Sequence, residues 1–223
     1  MNFLAHLYLS GDNVDVRMGN LIGDFVKGRS LGRYPDGIQK GIFLHRAIDF
    51  YTDTHPATFE VRQLFRQGYR KYAGVVVDVF FDHFLARYWG TFSPYPLRGF
   101  TRKFYYQMAL RYRELPKSVR NLLPLLIQTD RLYSYHKVEG VESALQIMSR
   151  VTSLPDETKF AIETLNYHYS YIRDQFLIFF PDLIDFVKVD YNIVPAGWKE
   201  DLVQTGAIEL KENEEENGKR PQR

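Results

Sequence analysis

The chain of 223 residues contains no cysteine. That absence excludes a disulfide framework, a thiolate metal site and a cysteine nucleophile, and it suits a reducing, cytoplasmic setting. Long apolar runs are missing as well. "GVVVDVFF" is short and "FLIFFPDLIDFV" is interrupted by Asp and Pro, well below the ~18 apolar residues that a membrane span needs. No membrane partner is therefore expected. The opening "MNFLAHLYLSGDN" has no basic segment ahead of its brief apolar run and no cleavage-like A-x-A, so no signal peptide is expected. Neither G-x-x-x-x-G-K-[ST] nor a helix-opening G-x-G-x-x-G occurs, and there is no G-x-S-x-G elbow. The common nucleotide cradles and the serine-hydrolase template are thereby set aside.

Net charge is also small, at +2, but it is unevenly spread. Residues 200 to 223 hold seven acidic and four basic side chains, which leaves the rest of the chain with a surplus of five positive charges. Between Arg98 and Arg120 the bias is local: Arg98, Arg102, Lys103, Arg111, Arg113, Lys117 and Arg120 are opposed only by Glu114. Such a run is either a solvated helical face or a docking surface for an acidic partner. The modest charge does not call for nucleic acid.

The hydrophobic pattern is helical throughout, with few period-2 runs to compete. It predicts one all-α domain over residues 1–195 and a charged tail over 196–223, too polar to offset the entropy of ordering and expected to be disordered. Asp12 is the expected cap of a helix running through "NVDVRMGNLIGDFVK" to Gly28. A second helix should run from Pro35 or Asp36 to Asp53, ending at His55-Pro56 because the residue before proline is driven out of the α region. Further helices are expected over Ala57 to Gln67, over Tyr69 to Trp89 despite its β-branched "VVVDVFF", and over "LRGFTRKFYYQMALRYREL". "KSVRNLLPLLIQTDRLYSYHK" should be helical with a kink at Pro124, followed by "GVESALQIMSRVTS" and one long final helix, "DETKFAIETLNYHYSYIRDQFLIFF".

Three clusters on three of these helices could carry chemistry. In "GIFLHRAIDFYTDTHP", His45, Asp49 and Asp53 fall at i, i+4 and i+8, drifting only about 40° per step around the axis. In "GNLIGDFVKG", Asn20 and Asp24 are four apart. In "VDVFFDHFLARYW", Asp78 and Asp82 are four apart and His83 follows. Each cluster sets oxygen or imidazole groups beside bulky apolar residues, where an unpaired carboxylate is costly. A divalent cation satisfies several such groups together, and without sulfur the candidates are manganese, magnesium, iron or zinc. The plainer alternative is a set of core histidines and salt bridges, Arg46 with Asp49 among them. His168, alone among aromatic residues, reads as core. His6 stays undecided between core and site.

The motifs "MNFLAHLYLS", "GNLIGDFVKG", "LHRAIDFYTDTHP" and "FDHFLARYW", in that order and at that spacing, resemble the acyl carrier protein phosphodiesterase family, also called acyl carrier protein hydrolases. The resemblance covers about the first 190 residues and leaves out the acidic tail. It implies a helical fold distantly related to HD phosphohydrolases and a divalent ion, Mn2+ first, with Mg2+ or Fe2+ as alternatives. It also implies hydrolysis of the phosphodiester joining 4'-phosphopantetheine to a serine of acyl carrier protein. One departure limits the transfer: the HD name denotes His-Asp, whereas this chain has Asp82-His83. On the family's motifs, Asp24, His45, Asp49, Asp82 and His83 are expected in the metal shell, with Asp53 as a ligand or a base. Arg46 would hold the non-bridging oxygens, and His55 would protonate the departing serine oxygen. Arg98, Arg102 and Arg113 would meet the acidic carrier protein. Two alternatives stay open: a metal phosphohydrolase acting on a small phosphodiester or nucleotide, and a non-catalytic module that binds acyl carrier protein.

Overall fold

The computed structural model describes residues 1–198, so nearly all of the charged tail expected to be disordered lies outside the described residues. Among the described residues there is no strand, and twelve α-helices follow one another. They are α1 (Phe3–Leu9), α2 (Val14–Ile22), α3 (Asp36–Thr54), α4 (Pro56–Tyr69), α5 (Ala73–Arg87), α6 (Trp89–Phe92), α7 (Leu97–Leu110), α8 (Lys117–Gln128), α9 (Arg131–Ser134), α10 (Val138–Val151), α11 (Thr158–Tyr167) and α12 (Tyr169–Tyr191). Among the described residues no helix is long and apolar enough to cross a membrane. The packed chain continues past residue 195: Ala196 is buried and its amide donates to Tyr8 O at 2.9 Å.

Several boundaries depart from expectation for local reasons. Asn13, not Asp12, caps α2, because its side chain accepts from the amides of Asp15 and Val16, while Asp12 pairs with Arg17 at 3.0 Å. The helix gives way after Ile22 to a 3-10 turn, Gly23–Phe25. Asp24 therefore stands on a turn, clear of the helix cylinder. α7 stops short of Pro116 and is followed by another 3-10 turn, Tyr112–Glu114. α8 carries Pro124 in its interior and ends before Asp130, whose left-handed φ of 42° divides it from α9. The single long final helix is two, divided at His168 within a run of weak helix formers, "NYHYSY". α12 then runs through Pro181 to Tyr191, since the buried Leu183, Ile184 and Val187 keep its apolar face in the core.

α5 is helical in spite of its valines because it is buried on nearly every side. Val76, Val79, Phe80, Phe81, Phe84 and Leu85 have no exposed surface, as suits a central helix surrounded by others. Against it α12 brings Phe176 and Phe179, with Phe81 ring centroids 5.6 and 5.3 Å away. Each such ring contributes roughly 2–3 kcal/mol by burial.

The crossing of α2 and α3 sets the site. A Cβ on Gly19 would lie 2.0 Å from Ile38 O, and one on Gly41 would lie 2.2 Å from Val16 O, so only a glycine pair lets the two backbones approach this closely. Gly23 does the same for a side chain: a Cβ there would come within 2.3 Å of the His45 ring.

Candidate active site

α3 lays His45 and Asp49 one turn apart, and α1 brings His6 over them. His45 Nε2 lies 3.1 Å from Asp49 Oδ2 and 3.1 Å from Asp24 Oδ1, while His6 Nε2 lies 3.1 Å from Asp49 Oδ1. Donor atoms of His6, His45 and Asp49 all fall within 4.8 Å of one another. The two imidazoles are stacked, with centroids 4.3 Å apart.

Asn20 on α2 orients both rings. Its Nδ2 donates to His6 O at 2.8 Å and to Ser10 Oγ at 2.9 Å, which fixes the amide with Oδ1 toward the imidazoles. Oδ1 then accepts from His6 Nδ1 at 2.7 Å and His45 Nδ1 at 3.2 Å. Both rings thus carry hydrogen on Nδ1 and turn Nε2 to the carboxylates, the tautomer of a metal-ligating histidine held by an outer partner.

That arrangement leaves acceptors facing acceptors. His6 Nε2 meets Met1 O at 2.9 Å as well as the Asp49 oxygen. His45 Nε2 is buried at ion-pair distance from two carboxylates, yet neither is aligned as a hydrogen-bond partner. Lone pairs converging in this way require a proton or a cation between them. For His45, burial disfavours charge, but Asp24 and Asp49 outweigh it and lift the imidazole to about 9. Burial pushes the Asp49 carboxyl up, yet the His45 and His6 contacts prevail and hold it well below the usual range. The Asp24 carboxyl is lowered, chiefly by His45. The His6 imidazole is pushed down by burial, with Asp49 opposing. The nitrogen and oxygen donors of this set would suit a divalent cation, Mn2+, Mg2+, Fe2+ or Zn2+, in place of the His45 proton.

The cluster forms one wall of a cavity of about 770 Å³. Asp53 and Asp78 share the polar wall, and Leu122, Leu125, Ile147 and Met148 of α8 and α10 form an apolar one. Asp78 stands 3.2 Å from the Met1 amino group, which lies 3.7 Å from Asp49. Burial raises the Asp78 carboxyl, with the Met1 amine opposing.

Of the residues singled out in the sequence, Asp24, His45 and Asp49 are brought together and Asp53 lines the same cavity, paired with Arg62. The others are placed elsewhere. Asp82 is fully buried under α1, its oxygens accepting from the amides of Leu4 at 2.8 Å and Ala5 at 3.1 Å. Burial outweighs those donors and lifts its carboxyl to about 7. His83, next in sequence, points about 100° away into another cavity, with Nδ1 on Tyr135 O at 2.7 Å and Nε2 on Tyr169 Oη at 2.9 Å. Arg46 is turned out of the cavity and donates to Val26 O at 2.9 Å. His55 caps α4 by accepting from the Ala57 amide, and its Nε2 meets Asp182 at 3.2 Å. Arg98 lies over the Tyr133 ring at 4.4 Å and 3.9 Å from Asp130. Arg102 and Arg113 are exposed and do not line the cavity. The site also includes groups that were not assigned to it: His6, Asn20 and Asp78. Their signals were present, since Asn20 lies four before Asp24 and Asp78 four before Asp82, but only the fold brings α1, α2 and α5 onto one cavity.

Fold and cluster define a class of protein: an all-helical domain carrying a buried histidine–carboxylate centre at one end of a cavity. The sequence model of the acyl carrier protein phosphodiesterases matches residues 1–183. Acyl carrier protein phosphodiesterases of Salmonella paratyphi A and Salmonella agona are each 34% identical over 185 residues, covering 82% of this chain and 96% of the relative. The chain belongs to the acyl carrier protein phosphodiesterase family, a family of enzymes. No solved structure matches it.

Proposed function

We propose that this chain hydrolyses the phosphodiester between 4'-phosphopantetheine and the serine of acyl carrier protein, giving the apo protein and free 4'-phosphopantetheine, with a divalent cation held by His6, His45 and Asp49 and closed on the solvent side by Asp24. The observation that carries this is the convergence of the two Nε2 atoms and the Asp49 carboxylate on the wall of a cavity. The name shared by the relatives supplies the substrate.

A bound Mn2+ or Mg2+ supplies Lewis acidity, which makes water acidic near neutrality and draws charge off phosphoryl oxygens. The chain's own residues do the rest. Asn20 holds both imidazoles in the ligating tautomer. Asp78, on the same wall and 3.2 Å from the Met1 amino group, is the carboxylate that would accept a proton from the attacking water. Asp53 lines the same wall, where Arg62 pairs with it. His55 lies off the cavity, so protonation of the departing serine oxygen falls to solvent or to Asp78 in its protonated form. The apolar wall accommodates the uncharged arm of the prosthetic group. Exposed Arg102 and Arg113 offer an acidic carrier protein long-range attraction rather than contact with the reacting atoms. Kinship with the HD phosphohydrolases belongs to the same proposal, although Asp82 and His83 supply none of the clustered donors.

The test compares substrates. Incubated with manganese, the chain should release 4'-phosphopantetheine from holo-acyl carrier protein, and a chelator should stop it. Turnover of bis(p-nitrophenyl) phosphate with none of the carrier protein would overturn the protein-substrate assignment.

A further inference from the structure

The cavity holds four carboxylates, those of Asp24, Asp49, Asp53 and Asp78, and its proposed substrate is itself an anion. Arg62 pairs with Asp53 and the Met1 amino group with Asp78 and Asp49, so one divalent ion brings this wall near neutrality, and the anionic substrate still lacks a cation of its own where the phosphoryl group lies. Arg46 cannot supply it, being turned to Val26 O, and the Met1 amino group is already paired with Asp78 and Asp49.

Among the described residues Arg131 is the remaining buried cation on the cavity wall, Lys71 there being exposed. The left-handed turn at Asp130 starts α9, and Arg131, its first residue, is only 5% exposed while lining the cavity. A guanidinium offers five N–H donors. Here it makes one long hydrogen bond, from Nη1 to Gly140 O at 3.4 Å. Among the described residues no carboxylate lies within ion-pair distance of it. A largely buried guanidinium with one protein hydrogen bond and no counter-ion beside it keeps N–H groups for an anion, which would stabilise it on arrival. Its forked geometry suits two oxygens of one phosphate. The path from Arg131 to the histidines is short in residues: Tyr135, four along the chain, shares the cavity wall and its Oη accepts from Asn2 Nδ2 at 3.2 Å, next to Met1 and the Asp49 cluster.

We propose that Arg131 is the anion-binding residue of this cavity, holding the non-bridging oxygens of a phosphate ester while the uncharged remainder lies along α8 and α10. This rests on the phosphodiesterase assignment for the identity of the ester, but not for the existence of the anion site. Since the phosphate is the only charge on the 4'-phosphopantetheine group, the position of Arg131 sets where the scissile bond falls.

The test is calorimetric titration of 4'-phosphopantetheine, with unphosphorylated pantetheine as the uncharged control and inorganic phosphate as a simple anion, into the chain with and without manganese. The wild type should favour the phosphorylated ligand by about tenfold or more. Arg131→Met should lose that preference while retaining affinity for pantetheine and for manganese, and Arg131→Lys should keep part of it. A folded Arg131→Met that still discriminates, or a wild type that binds neither phosphopantetheine nor phosphate, overturns the proposal. If both variants unfold, the Arg131 Nε–H resonance of the wild type decides: a shift on adding phosphate supports the site, and its indifference overturns it. Phosphate binding through Arg131 without carrier-protein turnover would leave this inference standing and remove the assigned reaction. Turnover with discrimination intact in Arg131→Met would do the reverse.

Discussion

His6 and His45 lie stacked, their planes 25° from parallel, and both direct Nδ1 at the same side-chain oxygen of Asn20. One amide thus sets the tautomer of two imidazoles that come from different helices. Replacing Asn20 with Ala should weaken manganese binding by roughly 10- to 100-fold, because each ring becomes free to present the wrong nitrogen. The same change takes the Asn20 donor from Ser10 Oγ and leaves His6 O with the Ser10 hydroxyl alone of its two side-chain donors, so stability should fall by about 1–3 kcal/mol. Calorimetric titration of the metal and urea denaturation separate the two effects. Unchanged metal affinity in a folded Asn20→Ala would remove the outer-partner role.

Asp49 touches both imidazoles, and its loss should be felt first in the cation. Manganese should raise the thermal midpoint of the wild type and leave Asp49→Asn unmoved, since binding to the native state alone stabilises it by mass action. A metal-dependent shift of wild-type size in that variant would dissociate the cluster from any ion.

Asp82 anchors α1 through two backbone amides, a different part from the metal shell expected of it. Asp82→Ala should therefore cost about 2–3 kcal/mol of stability by leaving the Leu4 and Ala5 amides unpaired. Asp82→Asn, which keeps an acceptor oxygen, should cost less. Metal affinity of the folded fraction should survive both changes. Chemical denaturation beside metal titration checks this, and loss of metal with full stability would return Asp82 to the site.

His83 is held neutral, its pKa pushed down by burial to about 4, and both of its hydrogen bonds suit the neutral ring. The unfolded chain protonates near 6.5, so the contribution of His83 is fully present above that value and is lost as the pH falls toward 4. Between pH 7 and pH 5 the wild type should lose about 2 kcal/mol more than His83→Gln does. Urea midpoints at the two pH values give the difference, and an equal loss in both proteins would show that His83 is not the titrating group.

The α3 stripe was legible because four-residue spacing on a continuous helix is a geometric statement: His45 and Asp49 had to share a face, and they do. Sequence neighbours misled for the same reason. Arg46 follows His45 and His83 follows Asp82, yet adjacent helical side chains diverge by about 100°, so proximity in the chain put the right chemistry on the wrong side. His6 and Asn20 could not be joined to the stripe from local pattern, since their meeting depends on the glycine crossing of α2 and α3. α5 shows burial overriding β-branched composition, and the division at His168 shows the opposite limit, where weak propensity breaks an unbroken-looking pattern. Arg131 carried no local signal at all. Its importance lies in what surrounds it.

Cleavage of phosphopantetheine from a carrier protein is the reaction proposed for the His6–His45–Asp49 centre. Its most direct test is the intact mass of holo-acyl carrier protein after incubation with manganese and either the wild-type chain or Asp49→Asn. The expected result is loss of the phosphopantetheine mass with the wild type, abolished by a chelator and absent with Asp49→Asn. A carrier protein of unchanged mass under every divalent metal, or one cleaved equally well by a folded Asp49→Asn, would contradict it.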